Sequence, residues 1–202
     1  LSYLFDQLTD FPSIFFGLEM ALRSLNSLKE NVLFPSNFTQ GKASIPINGL
    51  VWMGDVGFMK KQVDKKISES FKCIKLKIGA LDFDKEFALL KSIRDKYDSS
   101  ELEIRVDANG AYHYKNALTI LDKLSKLNIH SIEQPIKAGQ TKEMSSLCQN
   151  SPIPIALDEE LIGVVRIADK VKLLEEINPQ YIILKPSLLG GFKSSEEWIK
   201  VC

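Results

Sequence analysis

Between residue 47 and the end of the chain, short apolar segments alternate with longer amphipathic ones. The short segments begin at Ile47, Cys73, Glu103, His130, Ile153 and Tyr181. Successive starts lie 23 to 30 residues apart. The intervening stretches 84–97 and 115–127 repeat apolar residues at helical spacing, as an amphipathic helix requires. A strand and a helix that alternate at this interval are typical of parallel βα units, so the pattern predicts an α/β fold.

Two architectures are built from such units, the doubly wound open sheet and the (β/α)8 barrel. The first predicted strand ends at Trp52-Met53-Gly54-Asp55, without the glycine-rich turn of a nucleotide-binding open sheet. We therefore favour a TIM-like (β/α)8 barrel. Residues 45–202 hold only about six βα units, whereas a closed barrel has eight. We expect two further units after Cys202.

The amino-terminal part follows a different pattern. Residues 13–30 have helical periodicity, with Ser13 as the expected N-cap and Lys29 near the end. The apolar positions of this helix are Ile14, Leu18, Leu22, Leu25 and Leu28. Residues 31–44 combine turn residues with no periodicity, which predicts a connection between two structural units. We therefore predict two parts, residues 1–44, which include the connection, and a partial barrel catalytic domain at 45–202.

The composition of the chain argues against nucleic acid and membranes as binding partners. The 202 residues are 45% hydrophobic and 26% charged, with 26 basic and 26 acidic side chains. Zero formal charge gives no general attraction to nucleic acid or an anionic membrane, and no apolar segment is long enough to span one. The three cysteines, Cys73, Cys148 and Cys202, show no metal-binding spacing. We interpret them as free thiols, which suits a reducing compartment and predicts a cytoplasmic protein.

Three acidic residues end consecutive predicted strands. Asp107 precedes Glu133 by 26 residues, and Glu133 precedes Asp158 by 25. Because parallel strands end at one rim, these carboxylates are expected side by side, where they would repel one another. A hard divalent cation relieves that repulsion, and an all-oxygen ligand set favours Mg²⁺, with Mn²⁺ as the alternative. The competing interpretation is that each acid caps the helix that follows it.

Lysines occupy neighbouring strand ends. Lys75 and Lys77 are two residues apart on one predicted strand and share a face, while Leu76 and Ile78 take the other face. Lys185 is predicted to end the sixth strand, across the barrel. Partial burial beside a metal would lower the pKa of such a lysine and produce a neutral amine that can remove a proton.

Five motifs in order resemble those of the enolase superfamily, in its muconate lactonizing branch. They are KLKIG (75–79), RVDANG (105–110), IEQP (132–135), LDEEL (157–161) and KPSLLGG (185–191). Members of this superfamily combine a barrel with an α+β capping domain. The stretch 11–22 resembles the last helix of that capping domain. The resemblance implies that its earlier part precedes Leu1.

The resemblance also implies roles for individual residues. Lys77 would be the general base, and Lys185 would stabilise the intermediate from the opposite side. Asp107, Glu133 and Asp158 would bind Mg²⁺. Residues expected to contact the substrate or to support the metal site are Lys75, Arg105, Asn109, Glu159, Ser187 and Gly190.

The reaction implied is Mg²⁺-dependent removal of a proton alpha to a carboxylate, followed by loss of water from the enediolate. The enzyme would be a carbon–oxygen lyase acting on a small carboxylate, and KPSLLGG favours a dehydratase whose product is aromatic. A racemase or epimerase of the same branch is the alternative, with Lys77 and Lys185 on opposite faces of the substrate.

Two other classes fit the sequence less well. A His–Asp dyad is disfavoured because His113 and His130 do not fall at predicted strand ends. We expect His113 on a helix surface and His130 at a strand entry. A noncatalytic barrel that serves as a scaffold would be expected to have lost at least one of the three acidic residues. All three are present.

Overall fold

The computed structural model describes residues 7–26 and 32–202. Its strands are β1 (Gly49–Val51), β2 (Cys73–Lys77), β3 (Glu103–Asp107), β4 (Ser131–Glu133), β5 (Ile155–Leu157) and β6 (Tyr181–Ile182). Its helices are α1 (Pro12–Leu25), α2 (Val56–Ser68), α3 (Phe83–Arg94), α4 (Tyr114–Ser125), α5 (Thr141–Asn150), α6 (Ile167–Ile177), α7 (Pro186–Leu189) and α8 (Gly191–Val201), with a 3-10 turn at Glu159–Leu161. The α/β class and the six predicted strands are confirmed. Among these helices, none is both long and apolar enough to cross a membrane.

The strands of the described chain form one parallel sheet in chain order, β1 to β6. The register pairs Lys77 with Asp107 and Asp107 with Glu133. Parallel neighbours need a crossover connection, and the helices between them provide it. All strands therefore end at the same edge of the sheet. This arrangement brings residues from distant parts of the sequence together at the carboxyl ends of β2 to β5.

Alternation along β2 separates the core from the polar face. Ile74 and Leu76 are completely buried, whereas Lys75 and Lys77 on the other face are partly accessible. Every residue of β4 and β5 is buried, as expected for strands covered on both faces. The predicted placement of the two lysines on one face is thus confirmed.

Polar side chains cap the starts of α2, α3 and α4. The Asp55 side chain accepts a hydrogen bond from the backbone N–H of Phe58 at 2.9 Å, and α2 begins directly after it. The predicted helices at 84–97 and 115–127 correspond to α3 and α4. In α4 the small Ala117 is buried, whereas Leu118, one of the regularly spaced apolar residues of 115–127, is 36% exposed.

The amino-terminal helix differs from its prediction in two respects. It begins at Pro12, whose fixed φ suits a first helical position, so Ser13 lies inside the helix and is not its cap. The expected apolar face is also incomplete, because Ile14 is 59% exposed while Glu19 is buried. Residues 27–31, which include the predicted end at Lys29, lie outside the described residues. From residue 32 to 44 the chain forms neither helix nor strand, as predicted.

The described residues form two compact units. One contains 7–26, 32–46, 161–174 and 184–202, and the other contains 47–160 and 175–183. The second unit carries the entire sheet. The predicted division between residues 44 and 45 stays a prediction.

The first unit has its own buried polar centre. Lys170 is completely buried, donates hydrogen bonds to Ser194 Oγ and Glu197 Oε2, both at 2.8 Å, and lies 5.5 Å from the ring centroid of Trp198. Glu19 of α1 accepts hydrogen bonds from the backbone N–H groups at the start of α8. These contacts join α1, α6 and α8 into one unit.

Candidate active site

Three buried carboxylates lie at the ends of consecutive strands. Asp107 is the last residue of β3, Glu133 is the last residue of β4, and Asp158 directly follows β5. Their exposed fractions are 0%, 3% and 1%. The structure therefore brings the three predicted metal ligands to one edge of the sheet. The helices that follow Asp107 and Glu133 have His113 and Gln140 at their N-cap positions, so neither of these two acids caps its following helix.

Two lysines from β2 pair with these carboxylates. Lys75 Nζ lies 2.6 Å from Glu133 Oε2 and 3.4 Å from Asp107 Oδ2. Lys77 Nζ donates to Asp107 Oδ2 and, at 2.7 Å, to Asn109 Oδ1. Because the side chains of the two lysines and of Asp107 and Glu133 are largely withdrawn from water, their charges interact through a medium that screens them weakly.

Burial and pairing set the proton affinities within this cluster. Burial raises the pKa of Glu133 to about 7, and the charge of Asp107 adds to this rise while Lys75 opposes it. For Asp107, burial also opposes ionisation, but hydrogen bonds and the charges of both lysines outweigh it and lower the pKa. The pKa values of these two neighbouring carboxyl groups therefore move in opposite directions. This is expected because two negative charges at close range repel each other.

Pairing with two carboxylates raises the pKa of Lys75. Burial alone would lower it, but the hydrogen bond to Glu133 and the charges of Glu133 and Asp107 outweigh burial. The predicted lowering applies to a lysine beside a bound metal ion and stays a prediction.

Asn109 connects the lysines to the next acidic residue. Its side-chain Nδ2 donates to Glu159 Oε1 at 2.9 Å, while its backbone N–H donates to Asp107 Oδ1 at 3.1 Å. It adopts a φ of 44°, a left-handed conformation that asparagine tolerates better than most residues. Asn109 and Glu159, both predicted to support the site, are thus joined to it by direct hydrogen bonds.

The chemistry of the cluster fits a divalent cation. Glu133 Oε1 is buried and has no hydrogen-bond partner, and the same is true of Glu159 Oε2. A buried carboxylate oxygen without a partner is costly, and a cation would satisfy it. In the part of the chain that the structure describes, no three His, Cys, Asp or Glu side chains are grouped around a point that could hold a metal ion. Lys75 and Lys77 pair with oxygens of Glu133 and Asp107, so a cation would compete with the lysines for these oxygens.

The other predicted site residues include Arg105, Ser187 and Gly190. Arg105 donates to Glu103 Oε1 at 2.6 Å, toward the beginning of β3 and away from the carboxylates. Ser187 and Gly190 belong to the unit that contains α7 and α8, where the Ser187 carbonyl accepts from Ser13 Oγ and Gly190 has a φ of 89°. Their substrate contacts stay predictions.

Lys185 does not end the sixth strand as expected. Strand β6 stops at Ile182, and Lys185 is the residue before α7. The reason is local: Pro186 favours the first position of a helix, which makes the preceding residue its N-cap. Because Lys185 and Lys77 belong to different compact units, the predicted position of Lys185 opposite Lys77 stays a prediction.

The two histidines take no part in the cluster. His113 is the N-cap of α4, where its Nδ1 accepts from the backbone N–H of Lys115 at 3.2 Å. It thus caps the helix and does not lie within it, contrary to the prediction. His130 directly precedes β4, as predicted, and its ring stacks on Tyr181 at 5.3 Å between centroids.

Sequence reasoning missed three buried polar residues around the site. Glu86 accepts hydrogen bonds from the backbone N–H groups of residues 79, 80 and 81, the turn after Lys77. Gln134 and Glu160, neighbours of predicted ligands, hydrogen bond to each other at 3.1 Å. The sequence signal that could have indicated Gln134 is its position, a polar residue at the end of an otherwise buried strand.

The fold and site define a class: a parallel α/β protein with lysines and carboxylates gathered at the carboxyl ends of its strands. The sequence profile described as "Enolase C-terminal domain-like" matches residues 58–202. The chain therefore belongs to the Enolase C-terminal domain-like family, and the predicted superfamily is confirmed.

Individual proteins of known sequence or structure are similar to this chain. The chain is 53% identical to o-succinylbenzoate synthase of Desulfotalea psychrophila over 191 residues, 95% of this chain and 52% of that protein. The crystal structure of MenC from the same organism superposes with a TM-score of 0.87 at 52% identity, again over 95% and 52% of the two chains. The N-succinylamino acid racemase of Thermus thermophilus is 31% identical over 66% of this chain and 34% of its own length. The chain thus spans about half the length of the first relative.

Proposed function

We propose that the protein is a Mg²⁺-dependent carbon–oxygen lyase with o-succinylbenzoate synthase activity, a step in menaquinone biosynthesis. The observation that carries the proposal is the cluster of Lys75 and Lys77 with Asp107 and Glu133 at the ends of three adjacent strands. Similarity to the Desulfotalea psychrophila synthase supports the choice of reaction. The substrate would be a small carboxylate, and the enzyme would act in the cytoplasm.

Asp107, Glu133 and Asp158 would hold the metal ion, preferably Mg²⁺ and alternatively Mn²⁺. All three offer carboxylate oxygens, the ligands that hard divalent cations prefer. The unpartnered Oε1 of Glu133 supports this assignment. A bound cation would supply positive charge beside the substrate carboxylate and would compete with the lysines for Asp107 and Glu133.

Lys77 would accept the proton alpha to the substrate carboxylate at its Nζ. The hydrogen bond from Lys77 Nζ to Asn109 Oδ1 supports this proposal, because it fixes the direction of the amine. Lys75 would hold a positive charge near the same carboxylates. After proton removal, the substrate expels its neighbouring hydroxyl group, which leaves as water once a lysine has supplied a proton, and the ring becomes aromatic.

A racemase of N-acylated amino acids is the second candidate. The observation that favours it is the 31% identity to the Thermus thermophilus racemase. That reaction needs an acid or base on each face of the alpha carbon, for which Lys77 and Lys185 would serve. Water elimination strictly needs only one of them.

The two functions are separated by assaying the protein with Mg²⁺ on two substrates. One is the hydroxylated cyclohexadiene carboxylate that yields o-succinylbenzoate, and the other is a set of N-succinyl amino acids. The proposal predicts formation of the aromatic product, followed by its absorbance. Racemisation of N-succinyl amino acids with no aromatic product would replace the first candidate by the second.

A further inference from the structure

We propose that Gln134 is a positioning residue that fixes the carboxylates of Glu133 and Asp158 relative to each other for metal binding. This inference rests on the proposed function, because it concerns the metal site of that function. Gln134 touches neither the substrate nor the metal in this proposal. It acts through the backbone of the residues that carry the carboxylates.

The side chain of Gln134 is completely buried and uses both of its polar atoms. Its Oε1 accepts from the backbone N–H of Asp158 at 3.1 Å and of Glu160 at 3.3 Å. Its Nε2 donates to the carbonyl of Ile136 at 3.0 Å and to Glu160 Oε2 at 3.1 Å. One side chain therefore links the segment after β4 to the segment after β5.

The backbone of Gln134 extends this link to a third strand. Its N–H donates to the carbonyl of Ala156 in β5 at 2.9 Å, and its carbonyl accepts from the N–H of Gly110, after β3, at 2.7 Å. The φ of 41° turns the chain immediately after Glu133. The single residue is thus bonded to the segments that carry Asp107, Glu133 and Asp158.

Glu160 fixes the orientation of the Gln134 amide. The Oε1 atom of Glu160 accepts from the N–H of Gly139 at 2.9 Å, so Glu160 is itself held in place while its Oε2 receives Gln134 Nε2. Because Glu160 Oε2 is a hydrogen-bond acceptor, the amide nitrogen Nε2 of Gln134 must face it. The amide oxygen Oε1 of Gln134 then faces the N–H of Asp158. The main chain of Asp158 is consequently held by the side chain of Gln134, the residue that directly follows Glu133.

Metal sites depend on such supporting groups, and their loss typically weakens metal binding by about 10- to 100-fold. Gln134→Met keeps the length of the side chain and removes all four of its hydrogen bonds. Gln180→Met is a matched control, because Gln180 Oε1 accepts from the N–H of Ile155 at 2.9 Å, at the beginning of β5. The control loosens the same strand at the end that carries no carboxylate.

The test measures Mg²⁺ affinity by isothermal titration calorimetry, together with melting temperatures without and with Mg²⁺. Gln134→Met is expected to weaken Mg²⁺ binding by about 10- to 100-fold and to shrink the Mg²⁺-induced rise in melting temperature. Gln180→Met is expected to lower both melting temperatures equally with unchanged affinity. Equal Mg²⁺ affinity in Gln134→Met and the unaltered protein would overturn the positioning role.

A second variant keeps the test decisive if Gln134→Met does not fold. Gln134→Glu retains the acceptor for the N–H groups of Asp158 and Glu160 but loses the donor to Ile136 and places a second carboxylate beside Glu160. It should bind Mg²⁺ more weakly than the unaltered protein, and affinity equal to that of Gln180→Met would overturn the proposal.

Activity is measured separately so that the two proposals fail separately. Weaker Mg²⁺ binding in the Gln134 variants, without synthase activity in the unaltered protein, would support the positioning role and reject the proposed reaction. An unaltered protein that does not bind Mg²⁺ would overturn both.

Discussion

Lys75 and Glu133 are 58 residues apart in the sequence, and their side chains meet at 2.6 Å. The contact crosses from β2 over β3 to β4 and places a lysine against two buried carboxylates. It exists because parallel strands joined by helices all end at one edge of the sheet. The proton abstraction proposed for the protein depends on this close approach of lysine and carboxylate side chains.

Lys77→Met should lower synthase turnover by about 100- to 10,000-fold, the range typical of a lost general base. The fold should persist, because the Lys77 side chain is not part of the apolar core. Steady-state kinetics on the cyclohexadiene substrate measure the effect, with circular dichroism as the check on folding. Lys72→Met, an exposed lysine just before β2, is the control and should leave turnover unchanged. Retention of a tenth of the rate by Lys77→Met would show that another group is the base.

Asn109→Gly should reduce kcat by about 10- to 100-fold, because it removes the side-chain links to Lys77 and Glu159. Glycine tolerates the left-handed backbone, so the substitution tests the side chain alone. Asn128→Gly is the matched control, since Asn128 also has a positive φ, 49°, and its carbonyl accepts from Arg94, which is not part of this cluster. Equal kinetics for the two variants would argue against a role for the Asn109 side chain.

Glu86→Gln should lower the free energy of unfolding by about 1–3 kcal/mol. Its buried carboxylate accepts from three consecutive backbone N–H groups after Lys77, and an amide in its place turns one acceptor into a donor. Urea denaturation gives the value. Glu69→Gln, in an exposed pair with Lys66 at 3.2 Å, should change stability by less than about 1 kcal/mol. Similar losses in both variants would refute the special role of Glu86.

Thiol reactivity should follow burial. Burial, assisted by the hydrogen bond to Glu103, raises the pKa of Cys73 to about 12, and burial raises the pKa of Cys148 to about 12. Against an ordinary value of 9.0, the thiolate fraction at pH 8 is about a thousandfold smaller, because each unit is a factor of ten. Cys202 is exposed and should react first with Ellman's reagent. Rapid modification of Cys73 in Cys148→Ala/Cys202→Ala protein would contradict this order.

Much of the fold could be predicted from the sequence because its periodicity is strong. Each apolar segment proved to be a strand, and regular spacing placed Asp107, Glu133 and Asp158 on consecutive strand ends. The three cysteines are free, as expected. Those features depend on local pattern and on the rule that parallel strands end together.

Features that depend on exact termini or on tertiary partners were not predictable in the same way. Pro12 and Pro186 each fix a helix start, so Ser13 is not a helix cap and Lys185 is not a strand end. Arg105 donates to Glu103, two residues earlier on the same face of β3, because the two side chains are close enough to meet there.

The roles of Lys75 and Gln134 show a second limit. The pKa of Lys75 depends on the balance between burial and two facing carboxylates, and only their distances decide its direction. Gln134 gains its importance from backbone groups of other strands, which no spacing in the sequence indicates.

The most direct test of the account is the dependence of synthase turnover on a divalent cation. The protein is treated exhaustively with a chelator, assayed on the cyclohexadiene carboxylate, and then titrated with Mg²⁺. If Asp107, Glu133 and Asp158 hold the catalytic metal, turnover falls to background and returns on saturation with Mg²⁺. Undiminished turnover in the chelated protein would contradict the account.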